Sequence, residues 1–520
     1  MKTYDYIVVG AGSAGCVLAA RLSEDPGVRV LLLEAGPPDT AEEIRMPMGW
    51  PRLMQSAYDW RYLSEPEPGL GGRRRVLPQG RTLGGSSSTN AMIYIRGNRL
   101  DFDGWAAAGA RGWGWDDVLP YFRRAEDNTR GADELHGVGG PLGVSDIVSP
   151  HPIMADLIEA GVQAGHRRNP DLNGPEQDGF GWYQVTVRDG RRSSTAAAYL
   201  HPVVGRPNLD VLTDTQVHRV VCERGRAVGV AAERAGVMVE LRAEREVVVS
   251  AGAYNSPKLL MLSGLGIPAE LEAMGIPPLV DLPVGENLQD HPHVALVYLT
   301  DTLTRETDVT PENLLLWRET GGGPLGSNAG EAGGFLRTLP ELAAPDVEVT
   351  ASPVMFLDEG LTAPFEHAFM LGPTLLTPTS RGKVSLRTPM PGSAPRILNN
   401  YLTTEEDRQA VIRGVRALLD VADQPALKAR RRAPLSVPDS RGDVDILRFA
   451  RRVLNSLFHP VGTCAIGGVV DPELRVHGVA GLRVVDASVM PTLVRGNTNA
   501  ATIMIAEKAS DLIRGREAAV

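Results

Sequence analysis

The feature that most constrains this chain lies at its N-terminus. Asp5-Tyr6-Ile7-Val8-Val9 is a short apolar run that ends on Gly10-Ala11-Gly12-Ser13-Ala14-Gly15, and Cys16-Val17-Leu18-Ala19-Ala20-Arg21-Leu22 follows. A second apolar run, Val28-Arg29-Val30-Leu31-Leu32-Leu33, stops at Glu34. Strand, glycine turn, helix, strand and terminal acid, in that order, read as a dinucleotide-binding βαβ unit. Gly10 permits the tight turn, Gly12 lets backbone N–H groups at Ser13 and Ala14 approach a pyrophosphate at the helix N-terminus, and Gly15 lets helix and strand pack closely. Glu34, with Ala35 beside it, is placed to accept hydrogen bonds from ribose hydroxyls, which favours an unphosphorylated ribose: FAD or NAD rather than NADP. The unit alone does not choose between those two.

The rest of the composition narrows the setting. A chain of 520 residues, 43% hydrophobic and 22% charged, carries more apolar material than one domain core normally uses, so two domains are expected. A net charge of −10 offers no general attraction to phosphate backbones, and nucleic acid is not an expected partner. Met1-Lys2-Thr3 runs directly into the first strand, leaving no space for a signal segment. No apolar stretch approaches the roughly 20 residues of a membrane span. A cytoplasmic protein with no integral membrane segment is therefore expected. Cys16, Cys222 and Cys464 stand far apart without metal-site spacing, so neither disulfides nor a metal is expected.

A second small-residue loop, Gly80-Arg81-Thr82-Leu83-Gly84-Gly85-Ser86-Ser87-Ser88-Thr89-Asn90, leads into Ala91-Met92-Ile93-Tyr94-Ile95. Such a loop lets backbone lie against a flat ring. It resembles the first signature of the glucose-methanol-choline (GMC) oxidoreductases, and the run from Gly252-Ala253-Tyr254-Asn255-Ser256-Pro257 to Gly264-Leu265-Gly266 is similar to the second at every specified position. His459-Pro460-Val461-Gly462-Thr463-Cys464 and Leu482-Arg483-Val484-Val485-Asp486-Ala487-Ser488 extend the likeness across most of the chain. Only about 300 to 453 is weakly marked.

The resemblance implies FAD as the cofactor. It also implies cofactor contacts at Arg81, Gly85, Ser86, Asn90, Ala91 and Met92, at the backbone of Val217, at Ala251, and at Asp486, Ala487 and Asn499. Thr89 stands where some choline oxidases carry a histidine bonded to the flavin, so the FAD is expected to be non-covalent. Asp486 is assigned to orienting the cofactor rather than to proton transfer, and Asn499 is also a candidate helix cap.

The fold expected is α/β: a Rossmann-like FAD-binding domain plus an α+β substrate domain with an antiparallel sheet. The first takes 1–150, 195–300 and 454–520; the second takes 151–194 and 301–453, with approximate boundaries. Leu209 to Val217 and Gly229 to Ala232 alternate as strands around Arg224-Gly225-Arg226. Val347-Glu348-Val349-Thr350 and Gly382 to Arg387 alternate likewise, suggesting a sheet with one face covered. Thr403-Thr404-Glu405-Glu406 reads as a capping box before a helix with Ile412, Val415 and Leu419 on one face. Glu331 lies where a carboxylate meets the trimethylammonium group in choline oxidases, and a salt-bridged glutamate is the alternative.

Alcohol oxidation by a flavin needs a base, expected near pKa 7, and a group that holds the substrate oxygen. Histidine is the natural base. The resemblance places that base at His459 and its partner at Asn497, whose amide would donate to the oxygen without titrating. The implied activity is oxidation of a small alcohol to an aldehyde or ketone by hydride transfer to flavin N5, with dioxygen or a quinone-like acceptor taking the electrons. A hydroxynitrile lyase using the same histidine as acid and base is the alternative.

Overall fold

The computed structural model describes residues 3–516; Met1 and Lys2, the start of the leader reading above, lie outside the described residues. Strand Thr3–Val9 pairs in parallel with Val30–Leu33 on one side and with the end of Val237–Val249 on the other. Leu209–Leu212 and Leu482–Val484 extend this parallel set at its two edges. Tyr6 to Val9, Val30 to Leu33 and Val247 to Val249 are buried, as adjoining runs of Val, Ile and Leu in a parallel sheet require. Helix Ser13–Leu22 lies against helix Thr498–Arg514, which brings the last helix of the described chain onto the first. The expected turn at Arg224-Gly225 joins Thr215–Glu223 to Arg226–Arg234 in an antiparallel hairpin that continues the sheet through Val237–Val249.

A second, antiparallel sheet orders Ala433–Ser436, Leu296–Leu299, Ala368–Leu375, Val347–Ser352, Ala332–Leu336 and Gly179–Trp182. The short strands Pro292–His293 and Asn455–Ser456 attach beside Ala368–Leu375. Pro292–His293 and Leu296–Leu299, on the nucleotide side of the boundary expected at about 300, pair in this sheet.

Both faces of the second sheet are buried, which corrects the expectation of one open face. Alternation explains how. Val349, Ala351, Phe369 and Leu371 turn toward helices Pro152–Gln163, Glu405–Ala422 and Asp443–Val453. Gly161 lets the first of these helices sit directly on the Phe180 ring, where a Cβ would lie 2.4 Å from the ring. The opposite face, with Thr350, Ser352 and Met370, forms a wall of the large cavity.

Two local expectations shift. The helix cap is Thr404, whose hydroxyl accepts from Asp407 N at 3.3 Å, one residue later than the box proposed from Thr403. Strand Lys383–Ser385 forms, but it pairs only with Arg396–Leu398 in a separate ribbon. Among the described residues, no helix is long and apolar enough to cross a membrane, and no cluster of potential metal ligands is found.

Candidate active site

A continuous cavity of about 580 Å³ runs from the glycine turn to the antiparallel sheet. At its nucleotide end Gly10, Gly12, Ser13 and Ala14 form the wall, with Glu34 and Ala35 beside them. Gly12 is the N-cap of the first helix and has no side-chain cap, which leaves first-turn N–H groups for an anion. Gly15 is off the wall and works by packing: a Cβ there would lie 1.8 Å from the Gly10 carbonyl oxygen. Each Glu34 oxygen accepts one backbone N–H, from Ala11 at 2.9 Å and Gly36 at 2.8 Å, leaving lone pairs for hydroxyl donors. Burial raises this carboxyl to about 7, so a hydrogen-bonding ligand there would favour its charged form.

The second loop closes over the first. Gly85 (φ 52°) approaches so near Gly12 that a Cβ would stand 2.7 Å from its Cα. Ser86, Asn90, Ala91 and Met92 line the cavity with Val217, Ala251, Asp486 and Ala487. Asn90 is held from behind: its Oδ1 accepts from Met92 N at 3.0 Å and from Arg192 Nη1 at 2.8 Å. Arg192 is buried without a carboxylate partner, donates to the Ile44 and Asn90 carbonyls at 2.7 and 2.6 Å, and is pushed down to about 9 by burial. Sequence reasoning passed over it.

Asp486 and Asn499 lie on the wall as expected and Arg81 does not, and all three have protein partners. Arg81 is not on the wall; it lies over the Trp60 ring, 5.2 Å from the centroid, and donates to Ala35 O at 3.1 Å. Asp486 does reach the wall, but four protein donors already fill it: Gly252 N, Ser256 Oγ, Ser488 N and Ser488 Oγ. It ties the 252 turn to the last strand. Asn499 is not the cap, since the helix begins at Thr498 with Asn497 in the N-cap position. Its Oδ1 instead accepts from Ser13 Oγ at 2.9 Å, fastening the last helix to the glycine turn.

His459 and Asn497 meet on the cavity wall, with His459 Nε2 3.3 Å from Asn497 Nδ2. A residue missed in the sequence sets the ring: His291 Nδ1 is 2.9 Å from His459 Nδ1, and His291 Nε2 is 3.3 Å from the Leu376 carbonyl. A carbonyl only accepts, so that geometry assigns the hydrogen to His291 Nε2 and leaves its Nδ1 as acceptor. His459 must then carry its hydrogen on Nδ1. The lone pair of His459 Nε2 faces the cavity side, where the Asn497 amide stands.

Burial pushes His459 down to about 3, well under the value near 7 expected from the sequence, because the site withholds water from an imidazolium. The same cause, with His459 adding to it, holds His291 well below its ordinary value. The ring is thus neutral, and its acceptor nitrogen meets the Asn497 amide on the cavity wall.

Asp290 organises this corner. Its Oδ1 accepts from His291 N and His459 N, both at 2.8 Å, while Tyr401 and Ser456 hydroxyls donate to Oδ2. Phe458 adopts φ 66°, uncommon for an aromatic residue, as the chain turns to deliver His459. The signal for Asp290 and His291 was present: with His293 they make three ionisable residues just before the apolar Val294-Ala295-Leu296-Val297, where burial demands partners.

Glu331 lies away from this wall and is fully buried. It accepts from Arg305 Nη2 at 2.6 Å, Ser327 Oγ at 2.6 Å and His151 N at 2.6 Å. The salt-bridged alternative describes its surroundings.

The family model described as GMC oxidoreductase matches residues 4–293 in its N-terminal part and 378–506 in its C-terminal part. The chain belongs to the GMC oxidoreductase family. It is a flavin-dependent oxidoreductase of CH–OH groups, built on the expected FAD-binding and substrate domains. Among its relatives is an oxygen-dependent choline dehydrogenase from Pseudomonas putida, 44% identical over 99% of this chain and 95% of the relative. Another is an alcohol dehydrogenase [acceptor] from Pseudomonas putida, 41% identical over 98% and 95%. The crystal structure of pyridoxine 4-oxidase from Mesorbium loti superposes with a TM-score of 0.90 at 35% identity, covering 99% of this chain and all of that one.

Proposed function

We propose that this GMC oxidoreductase oxidises a small alcohol to an aldehyde or ketone with His459 as the base and Asn497 as the oxygen-holding group. The observation that carries this reading is the neutral His459 imidazole, whose unprotonated Nε2 faces the cavity within 3.3 Å of an amide donor. FAD, when bound along the wall from Gly10 to Ala487, supplies the two-electron acceptor that takes the hydride from the substrate carbon. His459 Nε2 takes the hydroxyl proton, and Asn497 Nδ2 donates to the substrate oxygen as negative charge builds on it. The buried Asn497 Oδ1 has no protein partner, which leaves that amide free to turn toward a ligand. Asp290 and the His291 ring hold the base in one tautomer and one orientation.

The names of the relatives support an alcohol substrate, choline or another, and either dioxygen or an organic acceptor for reoxidation. Thr89 on the cavity wall offers a hydroxyl where a nucleophilic ring nitrogen would be needed for attachment, supporting non-covalent FAD.

The test is an anaerobic absorbance scan of the holoprotein against choline, benzyl alcohol, aliphatic alcohols, polyols and sugars, followed by air. Bleaching by an alcohol supports the reading, and the speed of colour return separates oxidase from dehydrogenase behaviour. A flavin that no alcohol bleaches, in a protein that cleaves cyanohydrins, would overturn it. Acid precipitation should release the yellow chromophore into the supernatant.

A further inference from the structure

His293 lies two residues beyond His291, and the described contacts leave one of its nitrogens unused. Its ring is fully buried yet forms part of the same cavity wall as His459. Nδ1 is met by the Thr374 hydroxyl at 3.0 Å and the Thr350 hydroxyl at 3.2 Å, whereas Nε2 has no hydrogen-bond partner. An unpaired buried nitrogen costs free energy that a ligand can recover.

The seat is built for the ring: at Gly372 any Cβ would stand 2.5 Å from His293 Cε1 and 2.9 Å from Nε2. Burial pushes His293 down to about 4, so a neutral ring is presented. Either Nδ1 partner is a hydroxyl, which can donate or accept, so Nε2 can serve as donor or acceptor.

On the side of His293 the cavity wall carries Thr350, Ser352, Met370 and Asn455, and the carboxylates of this region have protein partners. Glu348, across from Thr374, accepts from the Tyr183 hydroxyl. Glu331 is paired with Arg305, and Glu306, which does reach the wall, is occupied by Thr304 Oγ1 and Met355 N. His293 shares the cavity wall with His459, whose support His291 lies two residues before it in the chain.

We propose that His293 Nε2 receives a second, neutral hydrogen-bonding group of the substrate, a hydroxyl or carbonyl oxygen apart from the reacting carbinol. The substrate class is then a neutral bifunctional alcohol rather than a quaternary-ammonium alcohol. This rests on the assignment of His459 as the base of alcohol oxidation.

The test uses holoprotein and three probes: benzyl alcohol, 1,3-benzenedimethanol and choline. Wild type should favour the diol over benzyl alcohol by tenfold or more in kcat/KM and should favour both over choline. In His293→Phe the diol-to-benzyl ratio should fall at least tenfold, and His293→Gln, which keeps a donor and an acceptor, should recover part of it. Bound-flavin absorbance reports that each variant has folded. Equal use of diol and benzyl alcohol by wild type, a preference for choline, or a ratio unchanged in His293→Phe would each overturn the subsite while leaving the base assignment standing. If none of the three is oxidised, His459→Ala assayed with whichever alcohol bleaches the flavin tests the base separately. The subsite is then read from thermal shift, where stabilisation by the diol over benzyl alcohol, lost in His293→Phe, supports it and equal shifts overturn it.

Discussion

The two ends of the cavity are made from different materials. At the nucleotide end the working surface is backbone, and its residues matter for the volume they lack: Gly10, Gly12 and Gly85 let three stretches of chain approach closely. At the substrate end the surface is side chains from segments far apart in sequence, with His291 and His459 separated by 168 positions. The first end is tolerant of which side chains surround it and intolerant of any added atom. The second has the reverse character, because its chemistry depends on which nitrogen carries a proton, and that is settled by ring partners, His291 and through it the Leu376 carbonyl.

Four perturbations would break or sharpen this contrast. The largest effect belongs to Gly15→Val. With a Cβ position 1.8 Å from a carbonyl oxygen, the helix cannot pack on its strand, and no yellow folded protein should be recovered. Normal flavin content in that variant would end the steric account.

Next comes His459→Ala, which should lower kcat/KM by about 10²- to 10⁴-fold while the flavin spectrum stays, since the nucleotide end is untouched. A loss under tenfold would remove His459 as the base.

Glu331→Ala should act on stability instead of turnover. It removes one of the two carboxylates that meet the buried Arg305 guanidinium, leaving Asp308 at 2.9 Å, a cost of about 2 kcal/mol that lowers the urea midpoint. A selective loss of choline turnover at unchanged stability would instead place Glu331 against substrate.

The smallest effect is a flat line. A base works only while unprotonated, so lowering its pKa extends activity toward acid. With His459 held to about 3, kcat/KM should show no acid limb near 6.5 between pH 8 and 5. A limb at 6.5 would mean that the occupied site hydrates or stabilises the imidazolium.

How much of this was legible in advance follows the same division. The glycine turn, its helix and Glu34 could be read because each residue acts on neighbours within one βαβ unit, and the spacing carries the geometry. Asn499, expected as a cofactor contact and a candidate cap, stands on the cavity wall in the first turn of its helix while Asn497 takes the cap position, and it is held there by Ser13 donating to it across 486 positions. Thr403 was displaced by Thr404, with Asp407 rather than Glu406 supplying the third-residue N–H. His293 gave no motif at all. Its meaning comes from Thr350, Thr374 and Gly372 on neighbouring strands.

The sequence by itself determined the family, the flavin-binding framework and the positions of His459 and Asn497, because these rest on short-range patterns of glycine, apolar residues and a few polar anchors. Only the tertiary structure decided the protonation of His459, the caging of Glu331 by Arg305 and the open nitrogen of His293. Burial and hydrogen-bond pairing between distant segments fix such properties, and neither exists until the two sheets close on the cavity.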